Sequence, residues 1–135
     1  MKKLAFLMLL GIFGCKSPVE TPCGILRCPA EAVSISVLTI DASGKSVKAA
    51  YIETLNLRTG FRDINLQEFR NHVKQVTYKY KIFGNPRRFS TTGDAVSVLI
   101  RSESGNESTT YFKIAGGECT CDVLKISGPE VIQID

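Results

Sequence analysis

The sequence contains no tryptophan, two methionines and a single histidine, His72. A catalytic histidine needs a nucleophile and an orienting acid beside it. The chain has no Gly-x-Ser-x-Gly elbow, no His-Glu-x-x-His helix and no glycine-rich phosphate loop. No pair of carboxylates stands out for glycoside chemistry. These absences remove the common hydrolase, metalloprotease and nucleotide-binding signatures. An enzyme is therefore not expected, nor a cofactor or a bound metal, and His72 reads as a surface or half-buried side chain. The longest apolar run, Leu4 to Gly14, is eleven residues. A membrane-spanning helix needs roughly 20, so this run is too short to span. Internal repeats, heptads and low-complexity tracts are also missing.

What is present begins at the N-terminus. Lys2 and Lys3 precede the apolar run, and Gly14 stands directly before Cys15. This is the layout of a secretory signal peptide, and Ile12-Phe13-Gly14-Cys15 resembles a bacterial lipobox. Residues 1–14 are then removed and Cys15 becomes the acylated first residue of the mature chain. Phe13 is bulkier than the usual occupant of its position. An ordinary signal peptidase site would want small residues at both −3 and −1, and Ile12 does not supply the first. Removing 14 of 135 residues leaves 121, enough for one domain. It also takes two lysines from the 17 basic residues, so the mature net charge is +2 rather than +4. Lys16-Ser17 places no acidic residue after the cysteine, which resembles sorting to the outer membrane, facing the periplasm.

Acylation of Cys15 leaves Cys23, Cys28, Cys119 and Cys121, an even set in an exported chain, which favours disulfides. Cys119 and Cys121 are predicted to share one face of a strand. There their Cα atoms would lie roughly 6.5–7 Å apart, near the upper limit for bridging each other. Pairing each with Cys23 or Cys28 is easier, although spacing alone does not choose among the three connectivities. The rival reading is a thiolate site for a soft metal.

Residues 15–31 are polar and proline-marked and read as a lipidated tether, with a single domain over 32–135. The abundance of Thr, Ser, Val, Ile and Tyr leans towards strands. Strands are predicted at Val33–Ile40, Ala49–Leu57, Val76–Ile82, Ala95–Ser102, Ser108–Ile114, Cys119–Ile126 and Val131–Ile134, each bounded by turn residues. Seven strands at this spacing give an all-β, antiparallel β-sandwich. Asn65 with Glu68, followed by Leu66, Phe69 and Val73 at helical spacing, predicts a short helix or irregular crossover over 65–73.

The stretch Ser34-Ile35-Ser36-Val37-Leu38-Thr39-Ile40-Asp41-Ala42-Ser43-Gly44-Lys45-Ser46-Val47 resembles the first hairpin of transthyretin-like, carboxypeptidase-regulatory-like sandwich domains. Tyr111 to Val123 is similar to the last strands of small Bacteroidota lipoproteins that carry such a domain. The resemblance covers both ends of the domain and skips about 58–92. It implies a sandwich of transthyretin-like or Ig-like type serving as a binding or structural module.

Residues 58–88 hold eight basic residues against Asp63 and Glu68, a local net of +6. Lys79, Lys81, Arg87 and Arg88 are the candidate contacts for an anionic partner, such as a glycan, a lipid head group or a protein. The plainer expectation is a solvated lysine face, because Lys79 and Lys81 alternate with Tyr78 and Tyr80. Nucleic acid is a poor candidate for a cell-envelope protein, and Asn106-Glu107-Ser108 is a chance sequon.

The sequence thus reads as a lipid-anchored, non-enzymatic binding or structural module of the bacterial envelope. The alternative is an inhibitor of an exogenous hydrolase that inserts a protruding loop, Phe83–Thr92. A weaker alternative is a thiolate metal-binding protein.

Overall fold

Alternation decides the architecture. Along the sixth strand, Asp94, Val96, Val98, Ile100 and Ser102 are buried, while Ala95 and Arg101 face solvent. The first strand buries Ile35, Val37 and Thr39 in the same way. Side chains two apart share a face, so each strand offers one apolar side and two sheets close over it. The computed structural model describes residues 23–24, 28–29, 32–64, 68–70 and 77–135.

Among the described residues nine strands form: β1 Ile35–Ile40, β2 Ala49–Asn56, β3 Arg62–Ile64, β4 Glu68–Arg70, β5 Tyr78–Phe83, β6 Asp94–Ser102, β7 Glu107–Ala115, β8 Leu124–Ser127 and β9 Val131–Gln133. One sheet has the order β4-β5-β1-β9 and the other β3-β2-β6-β7-β8. The protein is an all-β sandwich. The sheets bury Tyr80, Ile82, Ile132 and Ile134 on one side and Ile52, Val98, Phe112 and Ile114 on the other. Phe83 sits edge-on to both Phe89 and Phe112, with ring centroids 5.6 Å apart in each case.

Several expectations change. Two short strands, β3 and β4, join the seven foreseen. Both are three residues long, too short for alternation to register. The helical reading of 65–73 fails at its centre, since Glu68–Arg70 is extended and pairs antiparallel with β5. The rest of that stretch, and His72, lie outside the described residues. β9 runs parallel to β1, so the sandwich is not wholly antiparallel. The strand expected at Cys119–Ile126 starts only at Leu124. Cys119 to Asp122 forms a turn and bend instead, because both cysteines are drawn towards partners outside the sheet. The signal peptide 1–14, Cys15 and most of the tether also fall outside the described residues.

The Asp41 turn behaves as its residues require. Asp41 Oδ1 accepts from the backbone N–H groups of Ser43 and Lys45, each at 2.9 Å, and from the Ser43 hydroxyl at 2.6 Å. The Ser43 hydroxyl is the largest cause holding the Asp41 carboxyl below its ordinary value. Gly44 takes φ +80°, which a side chain would oppose. The chain then leaves β1's sheet and enters β2 in the other, so this is an arch between layers. At its far side the Ala49 N–H donates to the Tyr80 hydroxyl at 2.8 Å, a buried bond joining the two sheets. Tyr80→Phe leaves that N–H unpaired. Urea unfolding should show a loss of about 1–3 kcal/mol with an unchanged slope.

Candidate functional site

One end of the sandwich carries nearly all of its unusual chemistry. β2 ends at Asn56 and β3 begins at Arg62, so the 57–61 turn lies there. The connection from Phe83 to Asp94 and the 116–123 segment lie there too. Asn56 and Asp94 occupy core-facing register positions and are both buried.

Burying Asp94 would be costly without partners, and it has a full set. Arg58 donates through Nε to Oδ1 at 2.6 Å and through Nη2 to Oδ2 at 2.9 Å. Ser90 donates its hydroxyl at 2.7 Å and its backbone N–H at 3.2 Å, and Asn56 Nδ2 donates at 2.8 Å. Arg58 is the largest cause holding the Asp94 carboxyl far below the usual carboxylate range. The same bond raises the Arg58 guanidinium. Asn56 extends the network by donating to the Arg88 carbonyl at 3.1 Å and accepting from the Arg58 and Thr59 N–H groups. One carboxylate thus fastens the 57–61 turn to the 84–93 connection.

That connection is tied down along its length. Asn85 caps a short 3₁₀ turn, Pro86–Arg88, and Phe89 is buried behind it. The Gly116 N–H donates to the Ser90 carbonyl at 3.0 Å and the Gly117 N–H to the Pro86 carbonyl at 2.9 Å. A Cβ on Gly116 would run into the Pro86 carbonyl, so only glycine permits this approach. The segment foreseen as an inserting loop is clamped at both ends.

Between β5, the β2–β3 pair and this connection lies a cleft of about 240 Å³. Ile82, Phe83, Phe89 and Val96 supply apolar lining, and Thr54, Asn56 and Asn85 supply polar groups. Arg88 spans its rim, 2.5 Å from Asp63 and 4.2 Å above the Phe61 ring. The Lys81 stem lies over Gly84. Its ammonium lines the cleft with no ion pair among the described residues.

The four basic residues singled out in the sequence are therefore divided. Lys81 and Arg88 meet at the cleft. Arg87 is exposed on the 3₁₀ turn, and Lys79 lies against a separate depression with Ser36, Lys125 and Glu130. Tyr80 is buried while Lys79 is exposed, as their alternation required. Sequence reasoning missed Phe61, Asn56 and Asp94 as parts of this end. Asn56 and Asp94 gave a faint signal, as polar residues at core-facing positions of alternating strands.

Disulfides join Cys23 to Cys119 and Cys28 to Cys121, with Cα separations of 5.1 and 5.2 Å. This leaves none of the four sulfurs as a thiolate for a soft metal. Among the described residues no group of three or more His, Cys, Asp or Glu could hold a metal ion. Searches against protein-family models, curated proteins and solved structures find no match to this chain.

Two measurements test this construction. Asp94 contributes fully above the ordinary carboxylate value near 4, and its contribution fades as pH falls below that towards the depressed folded value. Asp94→Asn should lower stability by about 3 kcal/mol or more at pH 7. It should also flatten the loss below pH 4 in urea titrations. The disulfides span sequence separations of 96 and 93 residues. In the chain-entropy model one such crosslink is worth about 4–5 kcal/mol, and the second closes only a short ring beside the first, worth less than about 3. In urea unfolding, serine replacement of either pair alone should thus cost less than about 3 kcal/mol, and replacement of both about 7 kcal/mol, more than the two single losses together.

Proposed function

We propose that this chain is a lipid-anchored, non-enzymatic binding module of the bacterial envelope, held through Cys15 at the outer membrane and facing the periplasm. Its cleft takes a small amphipathic anion. The observation that carries this reading is the cleft itself, an apolar floor of Ile82, Phe83 and Phe89 beside the Lys81 ammonium, which has no ion pair among the described residues. Concave, mostly apolar sites with a few polar groups are the usual form of small-molecule sites. The ammonium selects a negative head, and the Phe61 ring and the floor cover an apolar body.

The chemistry nearby supports binding over catalysis. Asp94 is ionised and spends its acceptor sites on Arg58, Ser90 and Asn56, so it serves as a strut. The sandwich is read as transthyretin-like on the resemblance of its first segment, although the Asp41–Gly44 turn joins β1 and β2 across the two sheets as an arch and not as a paired hairpin.

Titrating the unacylated Cys15→Ser chain with decanoate, using decanol as the neutral control, tests the site. Decanoate should shift the Gly84 and Asn85 amide resonances more strongly than decanol. Lys81→Ala should weaken decanoate by about tenfold, the worth of one charge-assisted hydrogen bond, and leave decanol unchanged. Equal binding by the variant, or no shift at Gly84 and Asn85, would overturn the assignment.

A further inference from the structure

The end of the sandwich that carries the cleft is also the end to which the N-terminal segment is stapled. Cys119 and Cys121 follow Gly116 and Gly117, whose N–H groups bond to Ser90 and Pro86 of the cleft connection. Val33, where the described chain re-enters the domain, donates its N–H to Asp122 at 2.9 Å. Among the described residues the opposite end is formed by the 41–48 turn and the 103–106 hairpin; the β4–β5 connection, 71–76, lies outside them.

Chain length turns this placement into an orientation. From Cys15 to Cys23 there are eight residue steps. At about 3.3–3.6 Å per residue they reach at most ~29 Å. β6 has nine residues and runs between the two ends, a span of about 30 Å at the strand rise. A chain leaving at Cys23 could bring the opposite end to the bilayer only by stretching fully along the domain. Without the disulfides the tether would run from Cys15 to Ala32, 17 steps, about 58 Å. Either end could then reach the membrane.

The surface agrees with the length argument. Val33, Leu57, Phe61 and Leu124 are exposed large apolar side chains at the cleft end, between 42% and 63% accessible. None of the exposed large apolar side chains among the described residues lies in the 41–48 or 103–106 turns. Those turns carry Asp41, Lys45, Lys48 and Glu103 instead. Exposed apolar and aromatic side chains beside a cation such as Arg87 suit the head-group boundary. Glu118 and Asp122 lie at the same end, close to the staple, so apolar contact rather than net charge is the attraction.

We propose that the cleft end is the membrane-facing surface of the domain, and that its partner is the interfacial layer of the leaflet holding the Cys15 acyl chains. This rests on the lipoprotein reading above. The absence of tryptophan makes it directly measurable. Full-length acylated protein carrying Leu57→Trp or Ser104→Trp is reconstituted in phosphatidylethanolamine–phosphatidylglycerol vesicles with a quencher on the lipid head group. Tryptophan at 57 should be quenched several-fold more strongly than at 104. Equal quenching, or stronger quenching at 104, in protein that floats with the vesicles overturns the orientation and leaves the anchor intact. Failure of the wild-type chain to float, with no acyl mass on Cys15, overturns the anchor and the orientation together.

Discussion

A buried carboxylate holds the working end of this molecule together. Asp94 opens β6 in a position its neighbours fill with valine and isoleucine, and it remains charged because Arg58, Ser90 and Asn56 surround it. A buried ion pair is weak evidence for net stability, since desolvation offsets much of the attraction. What this one provides is position. The Arg58 fork fixes the 57–61 turn, and Ser90 fixes the connection after β5. The cleft exists because those two loops stand at a set distance from each other. Phe61, on one loop, and Arg88, on the other, meet over it.

The loops at this end form a connected set. Gly116 and Gly117 tie the 84–93 connection to the segment that bears Cys119 and Cys121, and those cysteines tie it to Cys23 and Cys28. Rigid scaffolds commonly place binding groups on loops, and here hydrogen bonds and disulfides tie the loops to one another. Joining the anchor segment and the cleft at one pole gives the disulfides a second consequence beyond stability. On the proposed lipid anchor at Cys15, they shorten the tether and so limit how the domain would face a membrane.

Legibility in the sequence followed the length and regularity of each element. β6 and β7 are nine residues each and alternate cleanly, so their positions were readable to within one residue. β3 and β4 are three residues each and owe their existence to pairing with β2 and β5. Local propensity at 65–73 favoured a helix, but Glu68–Arg70 gained backbone partners along β5, and the sheet outweighed the helical spacing. The cysteine pairing was open because composition carries no distances. The basic cluster was half legible. The sequence showed a surplus of charge over 58–88 but not that Arg88 is engaged by Asp63 while Lys81 has no ion pair among the described residues.

Alternation along the chain determined that this protein is a two-layer β structure, that Lys79 would face solvent and that Tyr80 would be buried. Those facts need only the two-residue period of a strand and the free energy of burying apolar surface. Spacing between Asp41 and Gly44 determined a tight turn for the same local reason. Tertiary structure alone decided that β9 lies parallel to β1, that Cys23 meets Cys119 and that Asn56, Arg58, Ser90 and Asp94 converge. Each joins residues far apart in sequence, with separations of up to 96 residues. No local period encodes such contacts; they follow from how the two sheets close over one core.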